Sequence, residues 1–117
     1  MTEKVIYHLG NCDTCRDIIK ELNPSSEVRM HDIKFDKITE KQLDAMKALA
    51  GSYEALFSRR SMKYRAWELN KKELTEADYK KYILEEYTFL KRPVIVSNGK
   101  IAIGNAKAAV DLAKEIL

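Results

Sequence analysis

The chain carries two cysteines, Cys12 and Cys15, in the stretch Asn11-Cys12-Asp13-Thr14-Cys15-Arg16. A thiol pair with this spacing, lying between a strand and a helix, reads as a redox motif in a cytosolic setting. The first turn of a helix has unpaired backbone N–H groups and partial positive charge, so it favours an anion. A sulfur held there gains thiolate character, and the thiolate is the nucleophile. Cys15, Ile18, Ile19 and Leu22 follow the i, i+3, i+4, i+7 pattern of one helix face, which makes Cys15 the start of a buried stripe. Cys12 precedes the first turn, where a cap residue sits. The expectation is that Cys12 attacks and that Cys15 resolves or stays buried as a bystander. Arg16 adds positive charge one residue beyond the pair.

Other readings of the pair carry different chemistry. A zinc site takes four ligands, and the two histidines, His8 and His31, lack the short paired spacing of a finger, so no metal is expected. Two inert cysteines packed as small hydrophobes are the structural alternative.

Elements on both sides must position the pair. Val5-Ile6-Tyr7 lies in a first strand over 3–8, and Asp13 to Asn23 forms the first helix, broken by Pro24. A second strand over 27–32 alternates Val28, Met30 and Ile33, which makes a parallel strand–helix–strand unit. Thr39 with Gln42 is a capping box, Ile38 and Leu43 make a hydrophobic staple, and Gly51 stops that second helix. A short helix over 63–69 follows, and Leu74-Thr75 opens another helix to about residue 86. Tyr53, Phe57 and Trp67 are expected in the core. Asn98-Gly99 is a hairpin turn between strands at 94–96 and 101–103. Asn105 caps a last helix with the stripe Ala106, Ala109, Val110, Ala113 and Ile116. The order predicts an α/β fold, a mixed four-stranded sheet with a helical insertion at about 38–87 between its βαβ and ββα halves, in a single domain over 1–117.

Composition narrows the class. The chain has 117 residues, 45% of them apolar and 33% charged, and a net charge of +3. These are the proportions of a soluble globular protein with one real core. No apolar run reaches membrane-spanning length, and Met1-Thr2-Glu3-Lys4 holds no apolar signal segment, so the reading is cytoplasmic. The basic residues Arg59, Arg60, Lys63 and Arg65 lack an interleaved aromatic stripe, so direct nucleic-acid binding is not expected. A planar guanidinium can instead grip an oxyanion with two parallel hydrogen bonds. Arg92, beside Pro93 at a strand start, is the better candidate for that role. Base rates alone favour a trans bond before Pro93.

Taken together, Tyr7-His8, the Asn11–Arg16 stretch, Arg59-Arg60, Lys91-Arg92-Pro93-Val94 and the glycine after the hairpin resemble the arsenate reductase/Spx family across essentially the whole chain. Asn-Cys-Asp-Thr is similar to the small YffB-type members, proposed as thiol reductases that use glutathione. The full Cys-x-x-Cys, with Ser61 after Arg60, resembles Spx, a redox-sensing regulator that binds RNA polymerase. The resemblance implies a thioredoxin-like fold, a nucleophile at Cys12 and a cis-Pro93. It also implies a small oxyanion or disulfide substrate, no bound cofactor, and glutathione, a glutaredoxin or a thioredoxin as electron donor. In the arsenate reductases three arginines hold the oxyanion; Arg92 matches one, and Arg60 or Arg59 a second. No arginine stands near Gly104 for the third, and Leu9-Gly10 replaces the Asn-Pro found in many of those reductases. One missing charge-assisted hydrogen bond, worth roughly 1.5–3 kcal/mol, weakens oxyanion binding about tenfold or more. Cys15 stands where most glutathione-linked members have serine, so a Cys12–Cys15 disulfide becomes available, either to a dithiol reductase or to a redox switch.

Overall fold

The computed structural model describes residues 3–117. Met1 and Thr2, part of the stretch read for a signal segment, lie outside the described residues. Four strands and five α-helices follow in the order β1 (Val5–His8), α1 (Asp13–Leu22), β2 (Arg29–Asp32), α2 (Glu40–Ala50), α3 (Met62–Ala66), α4 (Glu76–Glu85), β3 (Val94–Ser97), β4 (Lys100–Ile103) and α5 (Lys107–Ile116). The chain divides into two compact units. One takes the segments up to Lys37 and from Arg92 onward; the other is Ile38–Lys91.

The first unit is built on a four-stranded sheet in the order β2-β1-β3-β4. β1 runs parallel to β2 and antiparallel to β3, and β3 pairs antiparallel with β4. This is the mixed thioredoxin-like sheet expected from the sequence. Ile6, Val28, Ile95, Ala102, Ala113 and Ile116 form its core cluster, with Ile19, Leu22 and Leu117 packed against it. The period-2 and period-3.6 stripes thus meet on one face of the sheet. Asn98 and Gly99 both adopt positive φ at the tip of the β3–β4 hairpin, the backbone that an Asn-Gly turn supplies. Ser97 Oγ and Asn98 Nδ2 both donate to the carbonyl of Ile116, at 2.6 and 2.9 Å, tying the hairpin to the end of α5.

Two local expectations need correction. Asn105 does not cap α5: Ala106 is the N-cap and makes no side-chain bond, so Ala106 lies outside the helix rather than in its buried stripe. In β2, Met30 is 43% exposed while His31 is buried, the reverse of the alternation read from Met30. β2 is the edge strand, so Met30, opposite Ile6, is left partly uncovered. His31 lies opposite Tyr7, their ring centroids 4.9 Å apart, and its Nε2 bonds the Asp36 carbonyl at 2.7 Å.

The second unit is helical. Thr39 and Gln42 close both halves of the capping box, and Thr75 with Asp78 does the same for α4. Leu43, Met46, Leu56, Phe57, Leu69, Tyr79, Ile83 and Phe89 are buried. Phe57 stacks on Phe89 at 5.1 Å and meets Tyr79 at 4.9 Å. Trp67, expected inside, stays 37% exposed, although its ring packs edge-on against Phe89. The helix expected over 63–69 ends at Ala66, because Glu68 turns to left-handed φ and a short 3-10 turn (Leu69–Lys71) follows.

Candidate thiol site

β1 ends at His8, and Leu9-Gly10-Asn11 turns the chain into α1. The Cys12 amide donates to the Leu9 carbonyl at 3.0 Å, which closes this turn. Cys12 is the N-cap of α1, with extended backbone (φ −100°, ψ 112°). Its side chain is half-buried, whereas Cys15, one turn into the helix, is 1% exposed. The stripe pattern therefore assigned the two burials correctly. Both cysteines are free thiols.

The site separates the two sulfurs electrostatically. Burial opposes a charge on Cys12, but four groups outweigh it: the amide of Cys15, the thiol of Cys15, the Arg92 guanidinium and the amide of Thr14. The Cys12 thiol is therefore held below the ordinary thiol range. Its sulfur closes no geometric cap hydrogen bond, so the two amides act on it as nearby oriented dipoles at the helix start. Burial pushes the Cys15 thiol up to about 11; the Leu9 amide opposes this, while the hydrogen bond to Cys12 and the charge on Cys12 add to it.

The basic residues fall into distinct places. Arg92 stands in the same unit as the thiols, half-buried, and its peptide bond to Pro93 is cis. The trans bond favoured by base rates is overturned, and the isomer implied by the resemblance is present. Pro93 is buried, and its carbonyl accepts from the Gly104 amide at 2.9 Å. Gly104 has φ +89°, a backbone that disfavours any L side chain there, arginine included. Arg16 is exposed and ion-paired with Asp13, one turn back on α1, and the leading charge acting on Cys12 is that of Arg92.

Arg59 and Arg60 belong to the helical unit. Arg59 donates to Glu54 at 2.8 Å and to the Tyr79 hydroxyl at 2.9 Å. Arg60 is exposed, and its guanidinium enters no ion pair among the described residues. Among the described residues no group of three His, Cys, Asp or Glu side chains is placed to hold a metal ion, and no helix is long and apolar enough to cross a membrane.

Sequence reasoning missed Asp32. Its Oδ2 accepts from the Gly10 amide at 3.1 Å and its Oδ1 from the Lys34 amide at 3.0 Å. In the sequence Gly10 reads with Asn11 simply as the turn, and only the structure shows that its φ is not positive and that a carboxylate sits against it.

Three comparisons with known proteins find relatives over most of the chain. Residues 7–112 match the ArsC family. An uncharacterized protein of Haemophilus influenzae is 30% identical over 101 residues, spanning 85% of this chain and 88% of its own length. A solved YFFB protein superposes with a TM-score of 0.76 at 26% identity, over 94% of this chain and 97% of the other. Arsenate reductase from Vibrio cholerae shares the fold, with a TM-score of 0.78 at 18% identity over 99% and 98% of the two chains.

Proposed function

The chain belongs to the ArsC family, a family of thiol-dependent reductases, and from that premise we propose that it is a dithiol reductase with Cys12 as nucleophile, Cys15 as resolving thiol and Arg92 as the positive charge beside them. The observation that carries this reading is the placement of the two thiols: Cys12 is the half-buried N-cap of α1, where its thiol is lowered, and Cys15 is buried inside the helix, where burial raises it.

The chemistry follows from that placement. The Cys12 thiolate attacks one sulfur of a disulfide, such as a glutathione adduct. The Cys12–sulfur bond forms, the old S–S bond breaks, and the leaving thiolate takes a proton from solvent. Forming the adduct removes the charge from Cys12. That charge and the Cys12 hydrogen bond both raise the Cys15 thiol, so Cys15 becomes easier to ionise once the adduct exists. The Cys15 thiolate then attacks the Cys12 sulfur and expels the second thiol. The resulting Cys12–Cys15 disulfide is returned to two thiols by two electrons from a thiol reductant, glutathione or a thioredoxin-type protein.

A small oxyanion is the second substrate class of the same site. Within the thiols' own unit Arg92 supplies one guanidinium, and Gly104 stands where the resemblance would place another. That count favours sulfur substrates over arsenate.

The test is turnover of a glutathione mixed disulfide, with glutathione or thioredoxin as reductant, by the native chain and by Cys12→Ser. Turnover that disappears in Cys12→Ser is expected. Undiminished turnover in the variant contradicts the assignment. A native chain that turns over nothing but binds RNA polymerase would instead make it a regulator.

A further inference from the structure

The turn that carries Cys12 is held from outside by one carboxylate. In the sheet, His8 at the end of β1 lies opposite Asp32 at the end of β2, and the Ile33 amide donates to the His8 carbonyl at 3.0 Å. This brings the Asp32 side chain across the end of β1 to the first residues of the turn. There Oδ2 accepts from the Gly10 amide at 3.1 Å, while Oδ1 accepts from the Lys34 amide at 3.0 Å. Both carboxylate oxygens are thus used on backbone amides, one just beyond the end of each strand. The fit is close: a Cβ added to Gly10 would lie 2.7 Å from Oδ2, a distance real Cβ atoms do not adopt. Gly10 has no positive φ, so what glycine supplies here is room for the carboxylate where it stands rather than backbone freedom.

The same short turn meets both cysteines. The Leu9 carbonyl accepts from the Cys12 amide at 3.0 Å, and the Leu9 amide acts on the Cys15 sulfur. We infer that Asp32 is a positioning residue for the thiol pair: by fixing the Gly10 amide it fixes the turn through which Leu9 and Cys12 meet the start of α1. Both Asp32 oxygens are spent on backbone amides, so what it supplies to the thiol pair is position. A charge-assisted hydrogen bond to a backbone amide is stronger than a neutral one, which suits a carboxylate to this task. The inference rests on the reading of Cys12 as the reactive thiol and deepens it.

The experiment is the pH dependence of Cys12 alkylation by iodoacetamide, read by mass spectrometry on the intact chain, alongside a thermal melt. Asp32→Ala frees the turn, so the Cys12 midpoint moves up and alkylation near neutral pH slows about tenfold. Gly10→Ala displaces the same carboxylate and moves the midpoint the same way. The double variant is no slower than Asp32→Ala, because both changes remove a single contact. Asp32→Asn keeps an acceptor for only one of the two amides and falls between. It also carries the test if Asp32→Ala does not fold. A Cys12 midpoint unmoved in a folded Asp32 variant, or effects of the two sites that add, overturns the inference. A native midpoint already at the ordinary thiol value overturns the reading of Cys12 itself, so the two failures are distinct.

Discussion

Cys12 caps α1 half-buried while Cys15 lies buried one turn inside the same helix, and this placement lowers one thiol through the amides at the helix start and raises the other through burial. Two thiols of similar chemistry thereby acquire opposite reactivity within four residues. At neutral pH, an alkylating agent should label Cys12 and spare Cys15 in the folded chain. Peptide mapping after brief treatment checks this, and equal labelling of both contradicts it.

The raised thiol also leaves a mark on stability. Cys15 holds its proton up to about 11 when folded. An unfolded thiol releases its proton near about 8.5. Between those values the folded chain binds the extra proton, so stability falls as pH rises through that window. Cys12, lowered by folding, works in the opposite sense: its contribution is lost as pH falls through its folded value. Melting temperature followed from neutral to alkaline pH should decline, and Cys15→Ser should flatten part of that decline. An identical decline in Cys15→Ser would contradict the assignment.

Arg92 is the guanidinium that acts on Cys12 against the effect of burial. Arg92→Ala should raise the Cys12 midpoint and slow its alkylation near neutral pH by about threefold to tenfold. Arg92→Lys keeps the charge and should recover part of the rate. Stopped-flow or quenched alkylation of the three chains measures it, and an unchanged rate in Arg92→Ala would remove Arg92 from the site.

Arg59 and Arg60 should separate in function. Arg59 is bonded to Glu54 and Tyr79 and stands beside Tyr64 within the helical unit. Arg59→Ala should lower the melting temperature by a few degrees at most and leave Cys12 alkylation unchanged. Arg60→Ala should leave melting unchanged, since its guanidinium enters no ion pair among the described residues. The opposite pattern would exchange their roles.

Much of this was legible in the residues, and the gaps have physical causes. Caps such as Thr39 with Gln42, the Asn98-Gly99 turn and the stripe from Cys15 to Leu22 depend on neighbours a few residues away, so local spacing exposes them. Asp32 acts across 22 positions, through the parallel pairing of β1 with β2, which no local pattern encodes. The Arg92–Pro93 isomer is likewise set by tertiary context. Arg59 and Arg60 look equivalent in the chain, and only the fold shows Arg59 meeting Tyr79, 20 residues away. Asn105 has a good capping side chain, yet α5 starts two residues later, after Ala106. The tie from Ser97 and Asn98 holds the other end of that helix.

The central claim is that Cys12 forms the adduct and Cys15 removes it. Its most direct test is mass spectrometry of the native chain and of Cys15→Ser after brief exposure to oxidised glutathione. The native chain should pass to a Cys12–Cys15 disulfide with little glutathione retained, while Cys15→Ser should accumulate one glutathione on Cys12. A glutathione adduct that persists equally on Cys12 in both chains, or one that forms on neither, would contradict the account.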